Sequence, residues 1–574
     1  MHNLLLCLRN AQRISPTYLP SKPSPARAIF AQTRIQSLEV TAKRDRLRPW
    51  EERGKETQAE ENGGMDMASP PTLDILTDTG LSRNLQDKRA RNNGQGRVDE
   101  SSLAFSKEEI ANEERKPKRK VAVMIGYSGS GYRGMQLNVK EKTIEGDLFN
   151  AFVAAGAVSK ANSDDPKKSS LSRCARTDKG VHAAGNVISL KLIIEDTDIV
   201  RKINENLPPQ IRVWGIERTN NSFNCYQLCD SRMYEYLIPT YCFLPPHPQS
   251  LLGKKVKRDA ETNGDLEGHN ARQEEVLDFW NSIEKNQIEP ILSSLDSETR
   301  GSILSSVDKK EPPPAPTDSE RPQHPALRAI KAVYLNAKRS YRIDPKRLQR
   351  VRDALALYVG THKYHNYTIG KSPRDPSVKR HIKSFSVSED SPFVMHGTEW
   401  LSLRVHGQSF MMHQIRKMVA MAALCVRTGC PLERITESYN STSISIPKAP
   451  GLGLLLVQPV FSTYNGRAAR EFQRESIDFG KYEEEIREFK QREIYDRIYG
   501  EEENDHAFDL FFTNVDSFSK DAFHYLTSAG ISNTAQPPAS TTTAVDCVER
   551  AEAQVDSESE EEPVGVPGQA LEEG

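Results

Sequence analysis

The apolar positions of this chain follow a strand-like period of two in some stretches and a helix-like period in others. Strands are predicted at Val121–Tyr127, Asn186–Ile194, Ile211–Glu217, Ser231–Ile238, His381–Val387 and Glu399–His406, and at the end of the Pro- and Gly-rich stretch Ile444–Val457. Helices are predicted at Thr143–Phe152, Asp198–Leu207, Asp344–Val359 and Phe410–Thr428. The pattern breaks between Leu244 and Arg328, so the predicted elements form two groups.

Composition extends this division to the whole chain. At 574 residues the chain is too long for one core, and its mean hydropathy of −0.63 with 34 prolines indicates that a sizeable part has no packed core. We predict a disordered N-terminal tail at 1–115, an N-terminal folded half at 116–245, a mostly disordered insertion at 246–325, a C-terminal folded half at 326–465, a helical extension at 466–527 and a disordered acidic tail at 528–574.

Charge is distributed unevenly along a chain whose net charge is −1. Residues Lys116–Arg218 contain 18 Lys and Arg against 11 Asp and Glu, whereas Cys547–Gly574 contains nine acids and one Arg. A basic folded segment predicts a polyanionic partner, most simply a nucleic acid. No membrane segment is predicted, because the longest apolar run, Met418–Val426, is far shorter than the roughly 20 residues of a spanning helix.

Two basic segments bear on localisation. The residues before Glu39 include Lys and Arg but no acid, which is typical of a mitochondrial transit peptide. The cluster Lys116–Lys120 is typical of a nuclear import signal, or of the solvated edge of the first strand. We expect nuclear localisation, with a mitochondrial pool as the alternative.

The loop Arg176–Gly180 carries the first candidate for chemistry. Asp178 lies between the cations Arg176 and Lys179, and Gly180 allows a sharp turn just before the strand Asn186–Ile194. A loop held by a strand can keep a nucleophile in a narrow geometry. The same pattern is equally typical of a salt-bridged turn.

Other residues extend this picture. Arg232, Tyr234 and Tyr236 share one face of a predicted strand, and Arg416 lies at the edge of the apolar stripe of the helix Phe410–Thr428. A buried arginine needs a carboxylate partner unless its head reaches water. These residues, with Asp178, are the candidates that the pattern supplies.

Two further patterns, one of glycines and one of cysteines, are weaker evidence for a ligand site. Gly129–Gly134 matches G-x-G-x-x-G, but no helix begins directly after it, so a dinucleotide site is not predicted. Tyr132 and Arg133 in that loop fit a contact with RNA better. The pair Cys225 and Cys229 has no second pair at zinc spacing, and therefore does not by itself predict a structural zinc.

Six short blocks follow one another in a recognisable order. They are Tyr127–Gln136 (YSGSGYRGMQ), Arg173–Asn186 (RCARTDKGVHAAGN), Ser231–Tyr236 (SRMYEY), Gly360–Asn366 (GTHKYHN), Phe410–Met418 (FMMHQIRKM) and Ala449–Leu454 (APGLGL). Together they resemble the eukaryotic form of the TruA-type tRNA pseudouridine synthases, over roughly 120–245 and 326–460. The tails and the insertion lie outside the resemblance.

The resemblance implies a fold, a site and a reaction. The fold would be two α+β halves that share a mixed, mainly antiparallel central sheet with a basic cleft. Asp178 would be the nucleophile, Tyr234 would stack on the target base, Arg416 would pair with the aspartate, and Arg176 would help to extrude the uridine. The enzyme would break the N1–C1′ bond of uridine, rotate the base and rejoin it through C5, with no cofactor required.

The resemblance also implies which binding partners to expect and which alternative functions to consider. The substrate would be tRNA, with other structured RNAs as an extension and no membrane or obligate protein partner. Candidate substrate-binding residues are Tyr132, Arg133, Lys179, His182 and Arg232. The alternatives are a non-catalytic RNA-binding or chaperone protein with the same fold, and a mitochondrial paralogue with the same chemistry. Attack by Asp178 at C1′ or C6, and abstraction of a ribose proton, are all compatible with the sequence.

Overall fold

The computed structural model describes residues 105–138, 141–301, 325–518 and 521–531. The predictions for 1–104, including the basic start of the chain, lie outside the described residues, as does nearly all of the acidic tail predicted at 528–574. Within the described part, no helix is long and apolar enough to cross a membrane.

In the described part of the chain, ten strands form one sheet that runs through both predicted halves. The strands are β1 (Arg119–Tyr127), β2 (Ser172–Arg173), β3 (His182–Leu192), β4 (Ile211–Arg218), β5 (Ser231–Pro239), β6 (Gly360–Lys363), β7 (Lys379–Val387), β8 (Phe393–Met395), β9 (Thr398–Gly407) and β10 (Leu454–Val460). Their order is β4-β1-β3-β10-β5-β9-β7-β6, with β2 on β3 and β8 on β9. All pairs are antiparallel except β3 with β10. The predicted α+β fold with a mixed, mainly antiparallel sheet is confirmed.

The parallel contact between β3 and β10 lies next to the Asp178 loop. It comprises only two residue pairs, Leu455 with His182 and Leu456 with Ala183, at the very start of β3. Asp178 is four residues upstream of His182, so the loop that carries Asp178 lies beside the first residues of β10. A strand from the far end of the chain therefore borders the loop.

The helices cover the sheet and its edges. They are α1 (Lys107–Ala111), α2 (Ile144–Ala154), α3 (Ile199–Glu205), α4 (Leu251–Thr262), α5 (Leu266–Ala271), α6 (Phe279–Ile283), α7 (Glu289–Ser293), α8 (Pro325–Ser340), α9 (Pro345–Ala356), α10 (Gln414–Thr428), α11 (Glu433–Glu437), α12 (Ser462–Phe472), α13 (Glu483–Phe489), α14 (Asp496–Asp505) and α15 (Ala507–Asp516). Single π-helical turns at Glu284–Ile288 and Lys490–Tyr495 join α6 to α7 and α13 to α14.

Helix α10 is buried along its whole length, and all fifteen of its residues are shielded from solvent. The sequence predicts a helix from Phe410, but the structure starts it at Gln414. The reason is His413, whose φ of 59° is left-handed and cannot continue a helix upstream. At the other end Gly429, with a φ of 63°, accommodates the left-handed turn that ends the helix.

The insertion predicted at 246–325 is not mostly disordered over its described part, which contains helices α4 to α7 up to residue 301. Burial is confined to a few positions, such as Leu252 and Val256 of α4 and Trp280 of α6. The prediction was wrong because these sparse apolar anchors are diluted by charged residues, so the average composition resembles that of a disordered segment.

A buried arginine fixes this insertion to the C-terminal half. The side chain of Arg347 on α9 is fully buried, and its Nη1 lies 2.7 Å from the carboxylate of Glu275. It also donates to the carbonyl of Phe243 at 2.7 Å and to the side-chain oxygen of Gln273 at 3.0 Å. Because a buried charge is costly when unpaired, these bonds make the insertion part of the folded unit.

Part of the C-terminal extension packs on the sheet through glycines in the strands. A Cβ on Gly215 of β4 would lie 2.0 Å from the Tyr482 hydroxyl, and one on Gly185 of β3 would lie 2.8 Å from the Phe479 ring. The absence of side chains at these two glycines lets the aromatic rings approach the strands directly.

Candidate active site

The loop that carries Asp178 connects the short strand β2 to β3. Its turn is closed by a hydrogen bond from the Val181 N–H to the Asp178 carbonyl at 3.1 Å, and Gly180 takes a φ of 73°. The Cys174 N–H donates to the Val187 carbonyl at 2.8 Å, which ties the start of the loop to β3. The backbone of Asp178 is therefore held at both ends.

The glycine-rich loop Gly129–Gly134, which follows β1, packs against the Asp178 loop. A Cβ on Gly134, whose φ is 106°, would lie 2.8 Å from the Thr177 carbonyl, and one on Gly129 would lie 2.3 Å from the Val181 carbonyl. The Met135 N–H donates to the Thr177 carbonyl at 3.1 Å. These glycines thus serve backbone-to-backbone contact between two loops, which explains why the pattern is present without a phosphate-binding helix.

Buried polar side chains fix the same loop from inside the core. The Thr177 hydroxyl and the Tyr127 hydroxyl lie 2.9 Å apart, and the Asn186 amide donates to Tyr127 at 3.2 Å and to the Ala175 carbonyl at 3.0 Å. Burial raises the pKa of Tyr127 to about 12, so its phenol stays neutral. A satisfied buried network of this kind holds one geometry.

The Asp178 carboxylate itself is only partly covered, with 35% of its side chain exposed. Its Oδ2 lies 3.0 Å from Nδ1 of His413 and 4.0 Å from Nη1 of Arg416. Burial alone would raise the pKa of Asp178, but the hydrogen bond and charge of His413, with the charges of Arg416 and Lys448, lower it below the ordinary value. The carboxylate is ionised, oriented and still accessible.

Arg416 is held in place by the turn before β10. Its Nε donates to the Ala449 carbonyl at 2.6 Å, and only 8% of its side chain is exposed. A Cβ on Gly451 would lie 3.7 Å from the Arg416 guanidinium carbon and 3.4 Å from the Lys179 carbonyl. The predicted pairing of Arg416 with Asp178 is present in the structure, with the arginine anchored on the A-P-G-L-G turn.

His413 is the site residue that sequence reasoning missed. It precedes the first residue of α10, its side chain is 6% exposed, and it is closer to Asp178 than Arg416 is. Its left-handed backbone is a strained conformation for a residue other than glycine. The only available signal is its place in the block Phe410–Met418, three residues before Arg416, which does not distinguish it from neighbouring polar residues.

Tyr234 lies on β5, between β9 and β10, and is 8% exposed. Its ring meets the ring of Phe410 edge to face, with centroids 5.3 Å apart and an interplanar angle of 82°. Burial raises the pKa of Tyr234, and the charge of Asp178 acts in the same direction. The ring is thus a neutral, fixed aromatic surface near the carboxylate.

Arg176 differs from the other candidates because its side chain is exposed. Within the described part of the chain its guanidinium makes no hydrogen bond or ion pair, although it is only two residues from Asp178. An exposed arginine without a protein partner can move and can meet an anionic or aromatic ligand.

The five predicted substrate-binding residues separate into two groups. Tyr132 is 2% exposed and bonds Asp147 at 2.7 Å, and His182 is fully buried with Nδ1 3.2 Å from the Ser128 hydroxyl. These two are corrected to supports of the loops, because their hydrogen bonds join the loop after β1 to α2 and to β3.

Of the remaining three, Arg133 and Lys179 lie nearer to solvent, and Arg232 connects two segments of the chain. Arg232 is 8% exposed and donates to the Cys174 carbonyl at 2.9 Å and to the Gln408 carbonyl at 3.3 Å, so it too braces the loop. Arg133 is 45% exposed and pairs with Glu141 at 3.2 Å, and Lys179 is half-buried. Arg133 and Lys179 are the two that retain access to a ligand.

The cysteine pair has other partners in the structure. The thiol of Cys225 donates to the Ser172 carbonyl at 3.3 Å, and that of Cys229 to the Ser231 carbonyl at 3.2 Å. Among the described residues, no three His, Cys, Asp or Glu side chains are grouped as a metal site requires.

Known proteins are similar to this chain over most of its length. The family model described as tRNA pseudouridine synthase matches residues 354–462. The chain is 49% identical over 432 residues to tRNA pseudouridine synthase 1 of Yarrowia lipolytica, covering 74% of this chain and 79% of that protein. It is 44% identical over 438 residues to the Saccharomyces cerevisiae protein of the same name, covering 76% of each.

A second Saccharomyces cerevisiae protein, tRNA pseudouridine(27/28) synthase, is 38% identical over 391 residues, which are 67% of this chain and 96% of that protein. These alignments extend well beyond the short blocks that first suggested the resemblance. The chain therefore belongs to the TruA-type tRNA pseudouridine synthase family and is an enzyme of the isomerase class.

Proposed function

We propose that this protein converts uridine in tRNA to pseudouridine, with Asp178 as the nucleophile. The single observation that supports this most is the state of the Asp178 carboxylate, which is accessible yet held ionised by His413 at 3.0 Å and Arg416 at 4.0 Å. A carboxylate is an effective covalent nucleophile only when it is ionised and positioned.

The overall reaction requires no external reagent. The N1–C1′ bond of uridine breaks, the uracil rotates, and a C5–C1′ bond forms. The proton on C5 is lost to solvent and N1 gains a proton, so atoms and electrons balance. Because the step is an isomerisation, we propose that no cofactor is required and that the protein's own charges stabilise the reacting groups.

Arg176 and Tyr234 are proposed to hold the target nucleotide outside its stack. Flipping a base out of a helical stem costs a few kcal/mol. Stacking of the uracil on the Tyr234 ring returns about 1–3 kcal/mol, and the exposed Arg176 guanidinium can occupy the space that the base leaves. Arg133 and Lys179, which remain near solvent, are suited to contact the flanking phosphates.

The proposed substrate is tRNA because the relatives at 38–49% identity carry tRNA in their names. Other structured RNAs are included as an extension, since contacts to phosphates carry little sequence information. No obligate protein partner is proposed.

Tritium release from tRNA labelled at C5 of uridine tests the proposal directly. Wild-type protein should release tritium, and Asp178→Asn should reduce the rate by at least about 10³-fold while tRNA affinity stays within about threefold. Asp198→Asn, which changes an exposed carboxylate just before α3, should behave as wild type. Release that survives Asp178→Asn would refute the nucleophile, and no release from wild type would favour a non-catalytic RNA-binding protein.

We propose nuclear localisation, with the mitochondrial form as the alternative. Imaging the full chain, a form lacking residues 1–64 and a form with Lys116→Gln and Lys118→Gln separates the two. Loss of the nuclear signal only in the lysine variant supports the nuclear proposal, and a mitochondrial signal that needs residues 1–64 supports the alternative.

A further inference from the structure

A cationic surface lies at the far end of β1 from the Asp178 loop. It is a groove of about 440 Å³ between the start of β1 and the end of β4. Five cations line it, namely Lys118, Arg119, Lys120, Arg218 and Arg474, together with Thr219, two asparagines and Phe472, and the lining includes no carboxylate. We call these residues the β1–β4 groove.

The fold, rather than local sequence, brings these charges together. Val121 of β1 pairs with Arg218 of β4, and the Thr219 N–H donates to the Lys120 carbonyl at 2.9 Å. Arg474 arrives from the C-terminal extension, where a turn after α12 closes with its N–H on the Ala468 carbonyl at 3.0 Å. The groove is therefore built from segments more than 250 residues apart.

Most of this positive charge is not neutralised within the protein. Arg119 pairs with Glu195 at 3.1 Å, whereas the other four cations contact no carboxylate among the described residues. Lys118 donates to the Ser159 hydroxyl at 2.7 Å and Lys120 to the Ser170 carbonyl at 3.4 Å, both neutral partners. Four like charges at one edge repel one another, and a bound anion would relieve that repulsion.

The register of the strands increases this repulsion. Lys120 lies directly opposite Lys191 on β3, and like charges placed opposite each other on neighbouring strands are destabilising. Lys120 is also 9% exposed, and burial together with Lys191 lowers its pKa. A bound anion at this edge would supply the compensating charge.

We propose that the β1–β4 groove is a second RNA-binding site that holds backbone phosphates of the substrate at a distance from the reacting uridine. Strand β1 links the two sites, since Tyr127 at its end bonds Thr177 beside Asp178. At 3.3 Å per residue its nine residues separate them by about 26 Å. A folded tRNA spans this distance and a short hairpin does not. The inference rests on the proposed function only for the identity of the RNA.

An import receptor that reads the same lysines is the competing partner. Arg119 and Lys120 lie within β1, and their backbone is engaged on both sides by β3 and β4. A receptor that binds an extended basic peptide would require this strand to leave the sheet. The structure therefore favours RNA, which can contact the side chains where they are.

The test is the double variant Arg218→Gln with Arg474→Gln, made in the full chain and outside the Lys116–Lys120 cluster. With tRNA, its Kd should rise roughly tenfold, and the slope of log Kd against log salt should fall by about one for each removed phosphate contact. With a hairpin that contains the target uridine but is too short to reach the groove, Kd should not change. Binding is measured in the Asp178→Asn background, so the result does not depend on turnover.

The control removes two charges that are already paired. Arg201 and Arg487 are exposed arginines that lie 3.1 Å and 2.5 Å from carboxylates of Asp198 and Glu484, and Arg201→Gln with Arg487→Gln should leave both measurements unchanged. Arg218→Gln alone replaces the pair if Arg474→Gln unfolds. An unchanged Kd and salt slope for tRNA would overturn the proposal, as would an equal loss with the hairpin.

Discussion

Nδ1 of His413 lies 3.0 Å from the carboxylate of Asp178, across 235 positions of the chain. The histidine immediately precedes the helix that carries Arg416, so one element delivers both groups to the carboxylate. His413 is fixed by a left-handed backbone and burial, whereas Arg416 is fixed by the Ala449 carbonyl. The Asp178 carboxylate and the groups that hold it ionised therefore come from different halves of the protein.

The first prediction follows from this pair. His413→Gln removes the hydrogen bond and charge that lower the pKa of Asp178, so that pKa should rise. Because the proposed nucleophile acts only when ionised, the acidic limb of the pH profile should move to higher pH, and kcat at pH 6 should fall more than kcat at pH 8.

The pH profile of tritium release measures this. His381→Gln serves as the control, since His381 is exposed and contacts the Thr361 hydroxyl. An unmoved acidic limb together with normal kcat would show that His413 has no influence on the carboxylate.

The second prediction concerns Arg416. Both Arg416→Ala and Arg416→Lys should lower kcat by roughly 100-fold, because lysine cannot keep the bond to the Ala449 carbonyl while facing Asp178. Affinity for tRNA should change by less than about threefold, since the buried guanidinium is turned to the carboxylate. Filter binding and single-turnover kinetics separate the two effects, with the exposed Arg352→Ala as control. A loss mainly in affinity would assign Arg416 to the RNA instead.

The third prediction tests the contact between the two loops. Gly134→Ala would bring a Cβ within 2.8 Å of the Thr177 carbonyl at a φ of 106°, so it should displace the Asp178 loop and abolish turnover. Gly131→Ala is the matched control, because Gly131 has a φ of 81° but no atom within 4 Å of the added Cβ. It should cost only about 1 kcal/mol of backbone strain and keep activity. If both changes lowered turnover equally, the contact with the Thr177 carbonyl would not be the reason why residue 134 is a glycine.

The fourth prediction concerns the insertion. Arg347→Ala should lower the free energy of unfolding by roughly 3–5 kcal/mol, because it leaves Glu275 without its buried partner. It should also expose residues 251–301 to limited proteolysis before the rest of the chain. Resistance equal to that of wild type would show that the insertion is held by other contacts.

The fifth prediction is a pH dependence in the C-terminal extension. Glu502 on α14 bonds the Tyr241 hydroxyl and accepts from the Phe508 N–H at 3.0 Å, and burial raises its pKa from 4.5 to about 7. A carboxyl whose folded-state pKa is raised contributes stability that is complete below the unfolded pKa and is lost as pH rises through 7. Stability of wild type should therefore fall between about pH 5 and pH 8.

Glu502→Gln should remove this dependence, which amounts to roughly 3 kcal/mol at most for a shift of this size. Urea unfolding at pH 5, 6.5 and 8 measures it, with the exposed Asp505→Asn as control. The idea fails if wild type and Glu502→Gln lose stability in parallel over this range.

Local patterns in the sequence identify much of the scaffold. The alternation at Ile211–Glu217 marks β4 closely, because a strand with one buried face must alternate. The pattern at Ser231–Ile238 also marks the bounds of β5, although that strand is buried on both faces. The apolar stripe of the helix at Phe410–Thr428 marks α10, although its first residues are not helical. The ionic loop marks Asp178 as a candidate, and the ordered blocks mark the family.

The limits of this reasoning lie where function depends on contacts between distant segments. His413 is one polar residue among several in its block, and only folding places it against Asp178. Tyr132 and His182 are of types that bind RNA, yet their burial makes them supports of the loops. Composition cannot locate sparse anchors such as Arg347, whose partners come from another segment.

The sequence by itself determined the family and the positions of most strands along the chain, and it marked the aspartate as a candidate, because these depend on local periodicity and on short motifs. Only the tertiary structure decided which groups surround that aspartate, how the insertion is fastened, and where Arg474 joins Arg218 at the far edge. The physical reason is that pairing of charges and burial are set by distances in space. Those distances join residues tens to hundreds of positions apart, and no local pattern records them.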